Sequence, residues 1–506
     1  MLISHSPHLS LPRRHPPHRA PKPVHAQSGH ARGERVLFAT TEMADFLKAG
    51  GLGDVSSALP RALAKHCDVR VLLPGYREVL GHQRPLRIVG RIKAYHGLPA
   101  CTVGELRLDD GLGVLVLCNE KLYGRDGSPY ADAKGHEWPD NDLRFATFAH
   151  AAAEIAAGRA GLAWRPDLLH LNDWPGALAA CYLDWQGDDT PSVLTIHNLA
   201  YQGVFPSSCR RPLGIPERAA EFGTRRQLSF LQGGVAKASH ITTVSETYAR
   251  QITGPEHGCG LDGLLRKCMA EGRLTGIVNG IDHRHWDPAR DPALWSPFTA
   301  GEWTRRRANG RELRAELGLL QGNGPLFAMV SRMVQQKGLD MICETVPQIV
   351  GAGGQLALIG RGDPALERRV AALAHCFPGR VAYHHGFDGE LARRFFAGAD
   401  FLLMPSRYEP CGLSQMYAQA YGCLPLAHAT GGLRDTIEDG VTGLLFPEPT
   451  AVSLRQGLQR AFRVFAEPLL LDAMRGAAML EKHGWEEPAR RYAELYRHVL
   501  PQQAAA

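Results

Sequence analysis

Nowhere in its 506 residues does the chain approach the roughly 20 consecutive apolar residues that a membrane span requires, and no membrane partner is expected. Its eleven cysteines form no CxxC pair and no Cys/His cluster of metal spacing. They read as reduced thiols of a cytoplasmic protein rather than as a disulfide framework or a zinc module. No repeat of short fixed period is visible, which excludes a solenoid. No apolar signal-peptide segment precedes the first strand. Acids are missing altogether from residues 1–33, which hold Arg13, Arg14, Arg19, Lys22 and Arg32, so the formal charge of +6 leaves the rest of the chain at only +1. The body shows no basic patch interleaved with aromatics, and a nucleic-acid partner is not expected.

What is present is a composition of 44% hydrophobic and 21% charged residues, that of a globular chain too long for one ordinary core. Residues 1–34, rich in Pro, His and Arg, read as a disordered tail. An Arg-rich, acid-poor leader also resembles an organellar transit peptide.

Beyond the tail, short β-branched runs alternate with longer helical patterns. Strands are expected at 35–40, 68–74, 113–118, 167–172, 192–198 and 240–245, and a second series at 275–280, 325–331, 354–360, 380–386, 400–406 and 424–429. Continuous apolar runs joined by helices point to parallel sheets covered on both faces rather than to alternating antiparallel ones. The fold class is therefore α/β, with two doubly wound domains. The first spans 35–282. The turn-rich stretch 283–303 opens a linker and second domain over 283–480, and a C-terminal helix at 481–500 is expected to cross back to the first. Open parallel sheets bind ligands beyond the carboxyl ends of their strands, so the polar, glycine-rich segments at those ends belong to one cleft between the domains.

Those segments carry the chemistry. In "FLKAGGLGD" (46–54), Gly50, Gly51 and Gly53 admit close backbone approach. Amides there, at the positive end of a helix expected to start near Asp54–Ser57, suit a phosphate, with Lys48 adding a full charge. The spacing is neither a dinucleotide fingerprint nor a Walker loop. In "VSRMVQQKGLD" (330–340), Arg332 and Lys337 follow a strand where a planar fork and a point charge clamp a diphosphate. In "PSRYEPCGLSQ" (405–415), Glu409 stands before a helix expected near Cys411. It suits sugar hydroxyls, and the amides of Cys411, Gly412 and Leu413 suit an anion. "HLNDWPGAL" and "TIHNLAYQG" end neighbouring strands with Asp173, His197 and Asn198.

Together with "LLPGY", "EWPDNDLRFA", "TTVSETYAR", "GLDGLLR", "VNGID" and "TGGLRDT", these motifs resemble the bacterial glycogen synthases and plant starch synthases over about residues 35–500. The resemblance implies a retaining glycosyltransferase with two Rossmann-like domains facing across a cleft, the glycosyltransferase type B fold. The first domain is the acceptor side and the second the nucleotide-sugar side. It implies ADP-glucose as donor and glycogen or a malto-oligosaccharide as acceptor; the alternatives are a transferase of the same fold that uses UDP-glucose or a small acceptor, and a catalytically silent glucan-binding protein. Lys48, Arg332 and Lys337 would hold the diphosphate beside the Gly50–Gly51 turn. Glu409 and the Cys411–Leu413 amides would hold the glucose ring, with His197 and Asn279 across from them, and Asp54 and Asp173 toward the glucan. Phe387 stands where the family usually has a tyrosine stacked on adenine. Three departures stand out: Asn172 replaces a common histidine, Tyr417 occupies the position where related transferases have a second glutamate, and Gly310 follows Asn309 where a lysine is usual. With no Asp/Glu cluster to clamp a metal, no metal or cofactor is expected and the cations face the leaving diphosphate alone. No nucleophile partners Glu409 as in a retaining glycosidase, which favours front-face displacement.

Overall fold

A computed structural model describes residues 33–222 and 226–501; the expected tail at 1–34 falls almost entirely outside the described residues. All twelve expected strands form, and they sort into two sheets. Across the first sheet the order is Leu274–Gly276, His240–Thr243, Ser192–Ile196, Leu168–Asn172, Arg35–Ala39, Asp68–Pro74, Gly113–Cys118, Cys101–Arg107 and Arg87–Ile92. Six successive pairings are parallel and the last two antiparallel. The second sheet is parallel throughout, in the order Val381–His385, Gln355–Gly360, Leu326–Val330, Phe401–Met404, Leu424–His428 and Leu444–Phe446.

Two expectations need correction. The run at 275–280 does not begin the second sheet: Leu274–Gly276 pairs with His240–Thr243 at the edge of the first. The first sheet also carries an antiparallel extension that no continuous apolar run announces. Arg87–Ile92 is mostly exposed or half-buried, as an edge strand with one wet face has to be.

Residues in the second sheet alternate between two cores, as a period of two requires. Leu326, Ala328 and Val330 belong to one apolar cluster, and Phe327 and Met329 to the other. The last helix, Glu486–Val499, buries Tyr492 and Tyr496 in the core of the first half. There the Tyr496 hydroxyl lies 2.6 Å from Nδ1 of the buried His170. The chain thus passes between the halves twice, at 277–282 and at 481–485. The two passages touch: the amide of Ile281 donates to the carbonyl of His483 at 2.7 Å, and a Cβ on Gly280 would lie 2.8 Å from the carbonyl carbon of Gly484.

Candidate active site

Several residues expected inside strands lie just past them. His197 and Asn198 follow Ser192–Ile196, and Asn279 follows Leu274–Gly276. Their side chains are thereby released from the pleat into the space beyond the strand ends.

The glycine turn is built around an acid that sequence reasoning passed over. Glu42, buried just beyond the first strand, accepts from the amides of Ala49 at 2.7 Å and Gly50 at 2.9 Å through Oε2, and from the Tyr130 hydroxyl at 2.7 Å through Oε1. The Gly50 amide is therefore occupied by the protein. This corrects the expectation that it faces a phosphate. The helix Gly51–Leu63 starts inside the glycine run, three residues earlier than expected, and Gly51 is the first amide of its unsatisfied turn. A Cβ on Gly51 would sit 3.4 Å from the Leu413 side chain, so here the two halves meet. Lys48 extends from this turn. Its ammonium bonds Asp54 at 3.0 and 3.2 Å and lies 5.9 Å from the ring centroid of Phe387 in the second half.

Phe387 is 63% exposed just past Val381–His385. Its ring thus stands largely outside the core, with a face open at the strand end. Arg332, exposed after Leu326–Val330, donates to the Tyr201 hydroxyl at 3.2 Å across the cleft. Lys337 holds Glu409 at 2.5 Å, and the Ser406 hydroxyl donates to the same carboxylate oxygen at 2.9 Å.

The helix after Glu409 is Ser414–Ala420, so Cys411, Gly412 and Leu413 form a loop ahead of it rather than its first turn. Gly412 takes φ +74°, which favours glycine. Among the described residues the three amides find no protein acceptor. Burial pushes the Cys411 thiol up to about 12, and Asn279 hydrogen-bonds to it. Asn279 is itself buried, with an Oδ1 that finds no partner, and an orphaned buried acceptor calls for an external donor.

On the facing wall, the Asp173 carboxylate accepts from the amides of His197 at 2.7 Å and Asn198 at 3.4 Å. Asp173 has φ +54° at the start of helix Asp173–Trp185, a conformation that costs a non-glycine residue about 1–2 kcal/mol. Burial raises its pKa to about 7 and lowers that of His197 to about 3. The His197 ring is therefore neutral at neutral pH. Asn172 fixes its tautomer. The Asn172 amide nitrogen donates to the Ala39 carbonyl at 3.1 Å, so its oxygen, 2.9 Å from His197 Nε2, must accept, and the proton sits on Nε2. His197 then offers Nδ1 as an acceptor. Asn172 is thus a working partner of His197 rather than a change in the lining.

The other two departures are structural. Tyr417 stacks on Trp286 with centroids 3.7 Å apart. Asn309 brackets Ser296, accepting from its amide at 3.2 Å and donating to its carbonyl at 2.7 Å. A Cβ on Gly310 would come within 2.9 Å of the Gly398 carbonyl, where helix Trp303–Glu316 crosses Gly389–Gly398. Among the described residues no group of three or more His, Cys, Asp or Glu side chains is arranged to hold a metal ion.

Comparison with known proteins agrees with this architecture. Residues 35–267 match the family described as starch synthase catalytic domain, and residues 324–463 that of glycosyl transferases group 1. A curated glycogen synthase of Xanthomonas euvesicatoria pv. vesicatoria is 59% identical over 465 residues, 92% of this chain and 91% of that one. One from Pseudomonas aeruginosa is 51% identical over 489 residues, 96% and 95% of the two chains. Among solved structures, the catalytic domain of starch synthase IV from Arabidopsis thaliana, bound to ADP and acarbose, matches with a TM-score of 0.80. It is 28% identical, over 92% of this chain and 99% of that one. The sucrose-phosphate synthase of Thermosynechococcus elongatus, at TM-score 0.58 and 20% identity over 92% of this chain and 99% of that one, shares the fold. This chain belongs to the glycogen synthase family.

Proposed function

We propose that the chain works in the cytoplasm, transferring glucose from ADP-glucose to the nonreducing end of an α-1,4-glucan, glycogen or a malto-oligosaccharide. Configuration is retained and no metal or other cofactor is needed. The observation that carries this reading is the meeting of Lys48 from one half with Phe387 from the other, beside Arg332 and the Lys337–Glu409 pair. That grouping offers a stacking face for a base, cations for a diphosphate and a carboxylate for sugar hydroxyls within one cleft. The ADP bound to Arabidopsis starch synthase IV supports adenine as the base.

In this mechanism the base lies on Phe387, and Arg332, Lys337 and Lys48 surround the diphosphate. As the bond from the anomeric carbon to phosphate oxygen lengthens, negative charge grows on the leaving group and the three cations stabilise it. Glu409 holds glucose hydroxyls, and neutral His197 accepts from another through Nδ1. The acceptor 4-OH attacks from the face that the phosphate leaves, and the departing phosphate oxygen takes its proton. Apposition of the halves excludes water, which would otherwise hydrolyse the donor.

Transfer of labelled glucose to glycogen, run with ADP-glucose and UDP-glucose side by side, tests the proposal. Faster incorporation from ADP-glucose supports it. Preference for UDP-glucose overturns the donor assignment, and no incorporation from either overturns the activity.

A further inference from the structure

The segment that carries Glu409 rests on a short helix whose other side belongs to the first half of the chain. The Glu409 carbonyl accepts from the amide of Gly432 at 3.0 Å. A Cβ on Gly431 would fall 1.8 Å from that carbonyl, and one on Gly432 would fall 2.2 Å from the carbonyl of Cys411. Only glycine lets residues 409–411 lie this close to helix Gly431–Thr436. Asp435, on the same helix, reaches across the domain boundary. One of its carboxylate oxygens accepts from the Thr247 amide at 2.8 Å, and the other from the Thr247 hydroxyl at 2.5 Å. Two neighbours reinforce this grip. The Gln251 side-chain oxygen accepts from the Gly431 amide at 3.1 Å, and the Ser245 hydroxyl donates to the Pro410 carbonyl at 2.6 Å. Ser245, Thr247 and Gln251 lie in or cap the single helix Glu246–Gln251 of the first half.

We propose that Asp435, gripped by Thr247, is a positioning residue that places the Glu409–Cys411 segment against the wall formed by His197 and Asn279. The sugar pocket is then complete only while the two halves are docked. Each bond of the grip joins one protein group to another, so its effect reaches chemistry through Glu409 and the loop behind it. A bidentate carboxylate bonded to a backbone amide and a hydroxyl of one residue fixes direction as well as distance. Within a site where a small misplacement is felt in the rate, that fixes the orientation of Glu409 toward the donor. The inference rests on the proposed transferase reading for its kinetic part only.

Asp435→Ala, Asp435→Asn, Thr247→Val and the double variant Thr247→Val/Asp435→Ala test it in the full-length protein. Asp435→Ala is expected to lower kcat at least tenfold with the donor KM within about twofold, and to leave the melting temperature nearly in place. It also speeds amide hydrogen exchange of residues 407–413. Asp435→Asn recovers most of the loss, because its oxygen still accepts from the Thr247 amide. The double variant matches Asp435→Ala, since one interaction cannot be removed twice. Additive losses in the double variant, a kcat loss that tracks a fall in melting temperature, or unchanged exchange over 407–413 each overturn the proposal. The exchange measurement needs no substrate, so it decides the positioning role even if the wild-type chain transfers no glucose and the functional reading fails.

Discussion

Lys337 and Glu409 form a 2.5 Å ion pair whose side chains are only 16% and 6% exposed. Removing one partner of such a pair strands the other without compensation, at a cost of about 3–5 kcal/mol. Lys337→Ala is therefore expected to lower both turnover and melting temperature. Lys337→Met/Glu409→Gln should recover the melting temperature and none of the turnover, as paired calorimetry and kinetics can establish. Full stability in Lys337→Ala alone would show that water reaches the pair freely.

Lys48 makes the opposite case. Its pair with Asp54 leaves the two side chains 40% and 29% exposed, so its loss takes little from the fold. Losing one preorganised electrostatic donor lowers rate by about 10²–10³, and Lys48→Ala is expected to cut turnover by that factor with an unaltered melting temperature. Lys48→Arg recovers part of it, since a glycine-walled turn suits a point charge better than a planar fork. Normal turnover with only weaker donor binding would leave Lys48 a docking role.

Phe387 belongs to none of the apolar clusters formed by the described residues. Phe387→Ala should weaken ADP binding by about 1–3 kcal/mol, the range found for base–aromatic stacking, with no thermal shift, while Phe387→Tyr binds like wild type. Titration calorimetry with ADP measures this directly. Unchanged affinity in Phe387→Ala would place the base elsewhere.

Asp173 and His197 pull stability in opposite directions with pH. Burial raises Asp173 to about 7 from an ordinary value of 3.8. Between those values the folded chain keeps a proton that the unfolded chain has released, and stability falls as pH rises through the window. His197 is lowered to about 3 from 6.5. Below about pH 6.5 the unfolded chain binds a proton that the folded ring refuses, so stability is lost as pH falls. Asp173→Asn removes only the first effect, and asparagine tolerates φ +54°. The melting-temperature difference between Asp173→Asn and wild type should shift in favour of the variant from about pH 4 to about pH 7 and then level off. A difference that ignores pH would mean that Asp173 ionises as in water.

The sequence made legible whatever leaves a continuous apolar run or a glycine-rich strand end. The buried parallel strands were visible that way, except the three-residue Leu444–Phe446 at the edge of the second sheet, and so were Lys48, Arg332, Lys337 and Glu409. Arg87–Ile92 was not, because an antiparallel edge with a wet face breaks its apolar run, and neither was its buried neighbour Cys101–Arg107, whose run is broken by Thr102, Gly104 and Glu105. Helix starts differ from expectation by three residues in opposite directions: Gly51 and Gly53 read as a loop although they are helical, and Cys411–Leu413 read as helical although they are a loop. Glu42 and Asn172 were missed as working residues for a different reason. Each acts through a bond to a group seven or more positions away, Glu42 to Gly50 and Asn172 to His197, and such pairings exist only after folding. The Thr247–Asp435 grip spans 188 positions and has no local signature at all.

The paired passages near Gly280 and Gly484 give the molecule the mechanics of a door on a strap folded double. Two strands of chain tied by the Ile281–His483 hydrogen bond resist twisting and sliding far better than one, and leave swinging about their common line as the soft motion. After a cut near 483 the first strand still joins the halves covalently, whereas after a cut near 280 they are held through the packing of Tyr492 and Tyr496 in the first core. A methyl group added at Gly280, 2.8 Å from the Gly484 carbonyl carbon, is a pebble in the hinge, able to hold the door off its frame while both leaves stay whole.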